Sequence, residues 1–247
     1  MYQPRSYRQW IKDKDLVSFQ TTVKETDLHL RAQKILKQEA LEAILKCRAS
    51  LEGYIELHPP FITTLEPLPA AEDAPELVRQ MVEAAEKAGV GPMAAVAGAI
   101  AEGVGRELMR FSEEVIVENG GDIFLNILKR RLVGVYADKS PFTGKIALQI
   151  EPEETPLGIC TSSGTVGHSL SFGSADAVIV LSPSTALADA AATAIANVIK
   201  VADDIQKGIE LAQSIDGLKG VLIIVEDKMG IWGQVRICPL EERNGDG

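Results

Sequence analysis

Residues 115–125 read VIVENGGDIFL. Apolar, largely β-branched residues on both sides predict two strands, and the interruption by Glu118, Asn119, Gly120, Gly121 and Asp122 predicts a tight turn in which Gly120 or Gly121 takes positive φ. A hairpin accounts for Asn119-Gly120. It does not account for a second glycine and a second carboxylate before the hydrophobic run resumes, an arrangement that also brings bare backbone up to a ligand. Periodicity leaves both readings open.

On the N-terminal side, residues 16–30 alternate apolar and polar twice around Lys24-Glu25, which predicts another hairpin. Ile35, Leu36, Leu41, Ile44, Leu45, Leu51 and Ile55 follow helical spacing over 34–57, ending before Pro59-Pro60. The Pro-rich segment 64–77 is a surface connection into a helix running from Pro75 to Lys87. A further helix over 92–111 contains Gly98, Gly103 and Gly105. Each glycine costs up to about 1 kcal/mol relative to alanine, so close backbone packing against a sheet or ligand is expected to compensate.

Beyond the opening stretch, strands are expected at 132–137, 145–150, 158–161 and 177–181, then helices at 185–200 and 203–214, then strands at 220–225 and 232–237. Runs of strands, helices and strands predict an α+β fold, an antiparallel or mixed sheet with helices packed on one face. One domain over 1–247 is expected, with a frayed tail at 241–247.

The chain has 247 residues, 46% hydrophobic against 24% charged, and a formal net charge of −10. That composition supports a substantial core. Apart from Arg5, Arg8, Lys12 and Lys14 the basic residues are scattered, which disfavours nucleic acid and anionic membranes and favours a small-molecule ligand or protein partner; a homo-oligomer is compatible. The first residues lack the apolar core of a signal peptide, and no segment reaches about twenty apolar residues, so a cytoplasmic location is expected. Cys47, Cys160 and Cys238 give no disulfide framework or zinc spacing. No phosphate-binding P-loop or dinucleotide fingerprint is present.

Two stretches carry chemistry. In residues 182–200, SPSTALADAAATAIANVIK, Ser184 or Thr185 is the expected N-cap, and Leu187, Ala191, Ile195, Val198 and Ile199 form the core stripe. Asp189, Thr193 and Asn197 recur on the other face. Asp189 is the sole charge between Ser184 and Ile199, so this helix is expected to be covered on most sides. A lone carboxylate so covered needs a cation, a donor or a proton. Asp189 and Thr193 can offer two hard oxygens to Mg²⁺. In residues 158–178 a strand opens at Cys160 into Thr161, Ser162, Ser163 and Gly164, a loop of hydroxyls and glycines suited to contacting phosphates. His168 is a candidate general base only by its address there, since a lone histidine is more often structural.

AGAIAEGVG (97–105), VENGGDI (117–123), TSSG (161–164) and ALADAAAT (186–193) resemble, in order, the GIAKGYA, VNAGGDI, TSG and ADALAT motifs of the ApbE superfamily, whose founding members are Mg²⁺-dependent FAD:protein FMN transferases. The resemblance spans 94–199. It implies an α+β T-fold-like core and a flavin nucleotide, FAD or FMN, along Asn119, Gly120, Gly121, Asp122, Thr161, Ser162, Ser163 and Gly164. It also implies Mg²⁺ on Asp189, Thr193 and the carbonyl of Ala101. The chain departs from the family at Glu102, where the motif has lysine, and around His168, where HxxDPxTG is not recognisable. Three functions follow as expectations: flavin binding with Mg²⁺, Mg²⁺-dependent cleavage of FAD or FMN transfer to a protein hydroxyl, and an interaction protein that kept only the fold.

Overall fold

A computed structural model describes residues 15–163 and 173–240. The first hairpin forms as its alternation predicts: β1 (Val17–Val23) pairs antiparallel with β2 (Thr26–Ala32), and Lys24 turns at φ 51°. Next come α1 (Lys37–Leu57), α2 (Glu76–Ala88) and α3 (Val96–Leu108). The helix expected over 92–111 is thus divided, since its first turn, Pro92–Ala95, is a tighter 3₁₀ turn. Proline can open such a turn but donates no hydrogen bond to one before it.

The opening stretch becomes β3 (Val115–Asn119) and β4 (Asp122–Asn126), with Asn119 opposite Asp122 across Gly120-Gly121. Both glycines have positive φ, 74° and 134°, a conformation that side chains with a Cβ resist. The chain continues through β5 (Arg131–Gly134), β6 (Ile146–Ile150), β7 (Leu157–Ser162) and β8 (Ala177–Ser182). After α4 (Thr185–Val198) and α5 (Ile205–Ser214) come β9 (Gly220–Val225), β10 (Lys228–Gly233) and β11 (Ile237–Pro239).

The strand expected over 232–237 is therefore not one strand. Gly233, at φ 80°, ends β10, and the chain leaves the first sheet before β11 joins a second. Eight strands form the main sheet in the order β1-β2-β3-β4-β7-β8-β9-β10, while β11-β6-β5 form the smaller one. Neighbouring strands are antiparallel throughout both sheets among the described residues.

Alternation along each strand sorts the core into two layers. Leu28, Leu30, Val115, Val117 and Phe124 face α1 and α3, and Cys160, Val178, Val180, Val221 and Ile223 face α2 and α4. Ile116, Leu125, Ile159, Ile179 and Leu222 face the other way, onto Val135, Leu148 and Ile150 of the smaller-sheet layer. The helices lie on one face and the second sheet covers the other. No single helix among the described residues is long and apolar enough to cross a membrane.

Candidate functional site

The glycines of α3 do what their cost requires. A Cβ on Gly98 would lie 2.8 Å from Cβ of Asp189 and closer still to the carbonyl oxygen of Thr185, and a Cβ on Gly105 would run into the Phe124 ring. Glycine thus lets α3 touch α4 on one side and β4 on the other. Helix α4 is enclosed as its composition predicts, with all but three of its residues buried. Its N-cap is Ser184, whose side chain accepts the Leu187 N–H. Val198 is the exception to the expected stripe: it closes the helix and is exposed.

Asp189 meets the start of α3. Its carboxylate accepts the backbone N–H of Gly98 at 2.8 Å and also that of Ala97, where the positive end of the helix favours an anion. Asn119, at the turn of the β3–β4 hairpin, donates to the Ala97 carbonyl at 3.0 Å. Asp122 follows three residues later on β4. Its Oδ1 is buried without a hydrogen-bond partner, and so is the hydroxyl of Ser162 on β7, a residue 3% exposed. Cys160, between Asp122 and α4, reaches the Thr185 carbonyl at 3.3 Å.

The electrostatics follow from this crowding. Burial, above all, and then the field of Asp122 push the Asp189 carboxyl well above its usual range. Burial also pushes Asp122 up to about 7, the Cys160 and Thr161 hydrogen bonds opposing it and the Glu118 charge adding to it. The Cys160 thiol is raised by burial and by both aspartates, which makes it a poor nucleophile. Two acids thus share this space, and among the described residues no lysine or arginine hydrogen-bonds or ion-pairs with either.

Of the residues expected to form a site, Asn119, Gly120, Gly121, Asp122, Thr161 and Ser162 gather where β4 meets β7, and Asp189 reaches the same place from α4. Thr193 lies one turn beyond Asp189 and is buried. Ala101 is fully buried one turn further along α3; the backbone groups that reach Asp189 are the N–H groups of Ala97 and Gly98. Ser163 ends the described part of this loop, and Gly164 and His168 lie outside the described residues. Among the described residues no three His, Cys, Asp or Glu side chains converge as metal ligands. A cavity of about 80 Å³ opens beneath Gly121 and Thr161 on the opposite face of the sheet, away from Asp122 and Asp189.

Glu102 has a definite task. Its carboxylate accepts the Thr185 N–H at 2.7 Å, binding α3 to the first turn of α4, and it pairs with Arg106. The missing HxxDPxTG pattern has a counterpart at 137–144, ADKSPFTG, between β5 and β6. Pro141, Thr143 and Gly144 keep it; Ala137, fully buried, and Ser140 stand where histidine and aspartate would be. Thr143 Oγ1 closes the turn by donating to the Asp138 carbonyl at 3.0 Å.

The model of the family described as AbpE bacteria matches residues 8–229. A UPF0280 protein of Methanocaldococcus jannaschii is 45% identical over 219 residues, covering 86% of this chain and 89% of that one. A UPF0280 protein of Methanosarcina acetivorans is 44% identical over 200 residues, covering 80% and 79%. Among solved structures, the apo form of Pseudomonas stutzeri flavinyl transferase ApbE covers 89% of this chain and 94% of its own, with TM-score 0.58 at 12% identity. The ApbE protein of Thermotoga maritima covers 87% and 96%, with TM-score 0.54 at 12% identity. At such identities the likeness is one of fold. The family match and the two close relatives decide the rest: the chain belongs to the AbpE bacteria family.

Proposed function

We propose that this protein binds a flavin nucleotide together with Mg²⁺ where α3, α4 and the β3–β4 turn meet, and that it does so in the cytoplasm as a binding protein. The observation that carries the reading is the buried, unpartnered Oδ1 of Asp122 beside a second acid, Asp189. Two acids in one low-dielectric space repel each other, and a divalent cation removes both the repulsion and the desolvation cost. The residues fit it. Asp189 and Asp122 supply carboxylate oxygens, Thr193 a hydroxyl one helical turn away, and Ala101 is the carbonyl the family resemblance adds. Mg²⁺ bound here would neutralise phosphate oxygens of a nucleotide. The Gly120-Gly121 turn leaves the backbone bare for close approach, and the Ser162 hydroxyl is a donor without a present partner.

Two departures favour binding over FMN transfer. Glu102 occupies the lysine position and is used up in joining α3 to α4. Ala137 occupies the histidine position and can neither take nor give a proton.

The test is a thermal-shift and calorimetric titration with MgCl₂, FAD and FMN, alone and combined. Flavin and Mg²⁺ should each strengthen the binding of the other, and Asp189→Ala should abolish the coupling. No flavin binding with or without Mg²⁺ would overturn the reading, and release of AMP from FAD by the wild type would replace it with the transferase reading.

A further inference from the structure

The face of the main sheet turned from the helices carries a second constellation, unused by the cation site. Ser18, His29 and Glu118 lie on the neighbouring strands β1, β2 and β3. The register sets His29 directly opposite Glu118 and Ser18 directly opposite Arg31, so Ser18 and His29 are diagonal neighbours. Ser18 Oγ is 2.6 Å from His29 Nε2, and His29 Nδ1 is 3.7 Å from Glu118 Oε2. Glu118 is buried, His29 largely covered and Ser18 exposed. The small cavity beneath Gly121 is lined by His29, Arg31, Glu118 and Tyr136.

The order of these groups has chemical content. A carboxylate on the Nδ1 side favours the tautomer with its proton on Nδ1, which leaves Nε2 a bare acceptor. The Ser18 hydroxyl then directs its proton at a base. Hydroxyl, imidazole and acid in that sequence make an activated nucleophile, and the loose contact between imidazole and acid is of the kind that tightens when substrate binds. Arg31 lies directly opposite Ser18 in the strand register and lines the same cavity as His29 and Glu118.

We propose that Ser18 is an acyl-accepting nucleophile for small activated carboxylic esters, with His29 as its general base. Ser18 Oγ adds to the ester carbonyl carbon as its proton passes to His29 Nε2. The bond to the leaving alcohol then breaks, and the alcohol departs with that proton. Water, deprotonated in turn by His29, releases the carboxylic acid and restores Ser18. Glu118 is a positioning residue that acts through the imidazole.

The experiment exposes the full chain to a fluorophosphonate probe and to p-nitrophenyl acetate, read by intact mass, peptide mapping and release of nitrophenol. One adduct per chain is expected, on Ser18. Ser18→Ala should lose it and His29→Gln should slow it at least about tenfold, both with an unchanged thermal midpoint. Glu118→Gln should lower kcat for p-nitrophenyl acetate while leaving KM unchanged, which a purely structural role would not do. No adduct, an adduct elsewhere, or undiminished labelling of Ser18 in His29→Gln would overturn the proposal.

Discussion

The two ends of the β3–β4 hairpin each hold an acid withdrawn from water, and the fold treats them differently. At the open end, Glu114 accepts the backbone N–H groups of Leu128 and Lys129 at 2.5 and 3.0 Å and pairs with Arg131 at 2.5 Å. Arg131 also holds Asp15. At the turn end, Asp122 receives hydrogen bonds from Cys160 and Thr161 but keeps one oxygen with no partner, and the charges that act on it are those of other acids. Burial of an acid is therefore not by itself a sign of function. What separates the two ends is that Glu114 is paired with an arginine, whereas Asp122 meets only neutral donors and other acids.

That contrast can be broken at its satisfied end first. Arg131→Met strands Glu114 as a buried uncompensated charge and should cost about 4 kcal/mol in a urea titration; a loss below roughly 1 kcal/mol would make the two ends equivalent.

The unsatisfied end should show its state in pH dependence. The Asp122 carboxyl lies at about 7 in the folded chain against an ordinary 3.8. A raised folded value means that the protonated form stabilises the fold fully below about pH 4, and that this contribution is lost as pH rises through 7. Without divalent cation, stability should fall by roughly 3 kcal/mol between pH 4 and pH 8 on this account, allowing for partial exposure. Asp122→Asn should make the slope shallower, the remainder belonging to Asp189, and MgCl₂ at pH 8 should recover most of the loss. A slope unchanged in Asp122→Asn would refute the assignment.

Gly98→Ala sharpens the contrast, because it forces α3 off α4 beside Asp189 while leaving Glu114 alone. We expect a loss of about 2 kcal/mol and a weaker response to Mg²⁺. The smallest effect should come from Ser184→Ala, which removes the cap of α4 and costs about 1 kcal/mol. Its Mg²⁺ response should survive, since Glu102 still anchors the first turn.

Local chemistry made much of this legible from sequence. Asn-Gly-Gly-Asp between β-branched runs signalled the β3–β4 turn, and one charge in an alanine-rich helix signalled that α4 is enclosed. The glycines of α3 signalled close approach without naming the partners, because Thr185 and Phe124 come from other elements. The proximity of Asp122, Cys160 and Asp189 carried no signal: the three lie on β4, β7 and α4, and only strand register and helix crossing bring them together. The same holds for Ser18, His29 and Glu118, where two histidine contacts span three strands. The strand expected over 232–237 failed for a local reason, since periodicity ran on through Gly233 while the backbone turned there.

The order of the main sheet follows the order of the chain, except that β5 and β6 leave it and wait for β11. A ribosome could therefore lay down the large sheet one strand at a time, each new strand finding its neighbour already made. The small sheet has no such luxury: Cys238 pairs with Ala147 only after every strand of the large sheet has been made. Until β11 emerges, one edge of β6 stays bare, so removing β11 should yield a protein that retains its helical layer yet sticks to itself through that edge.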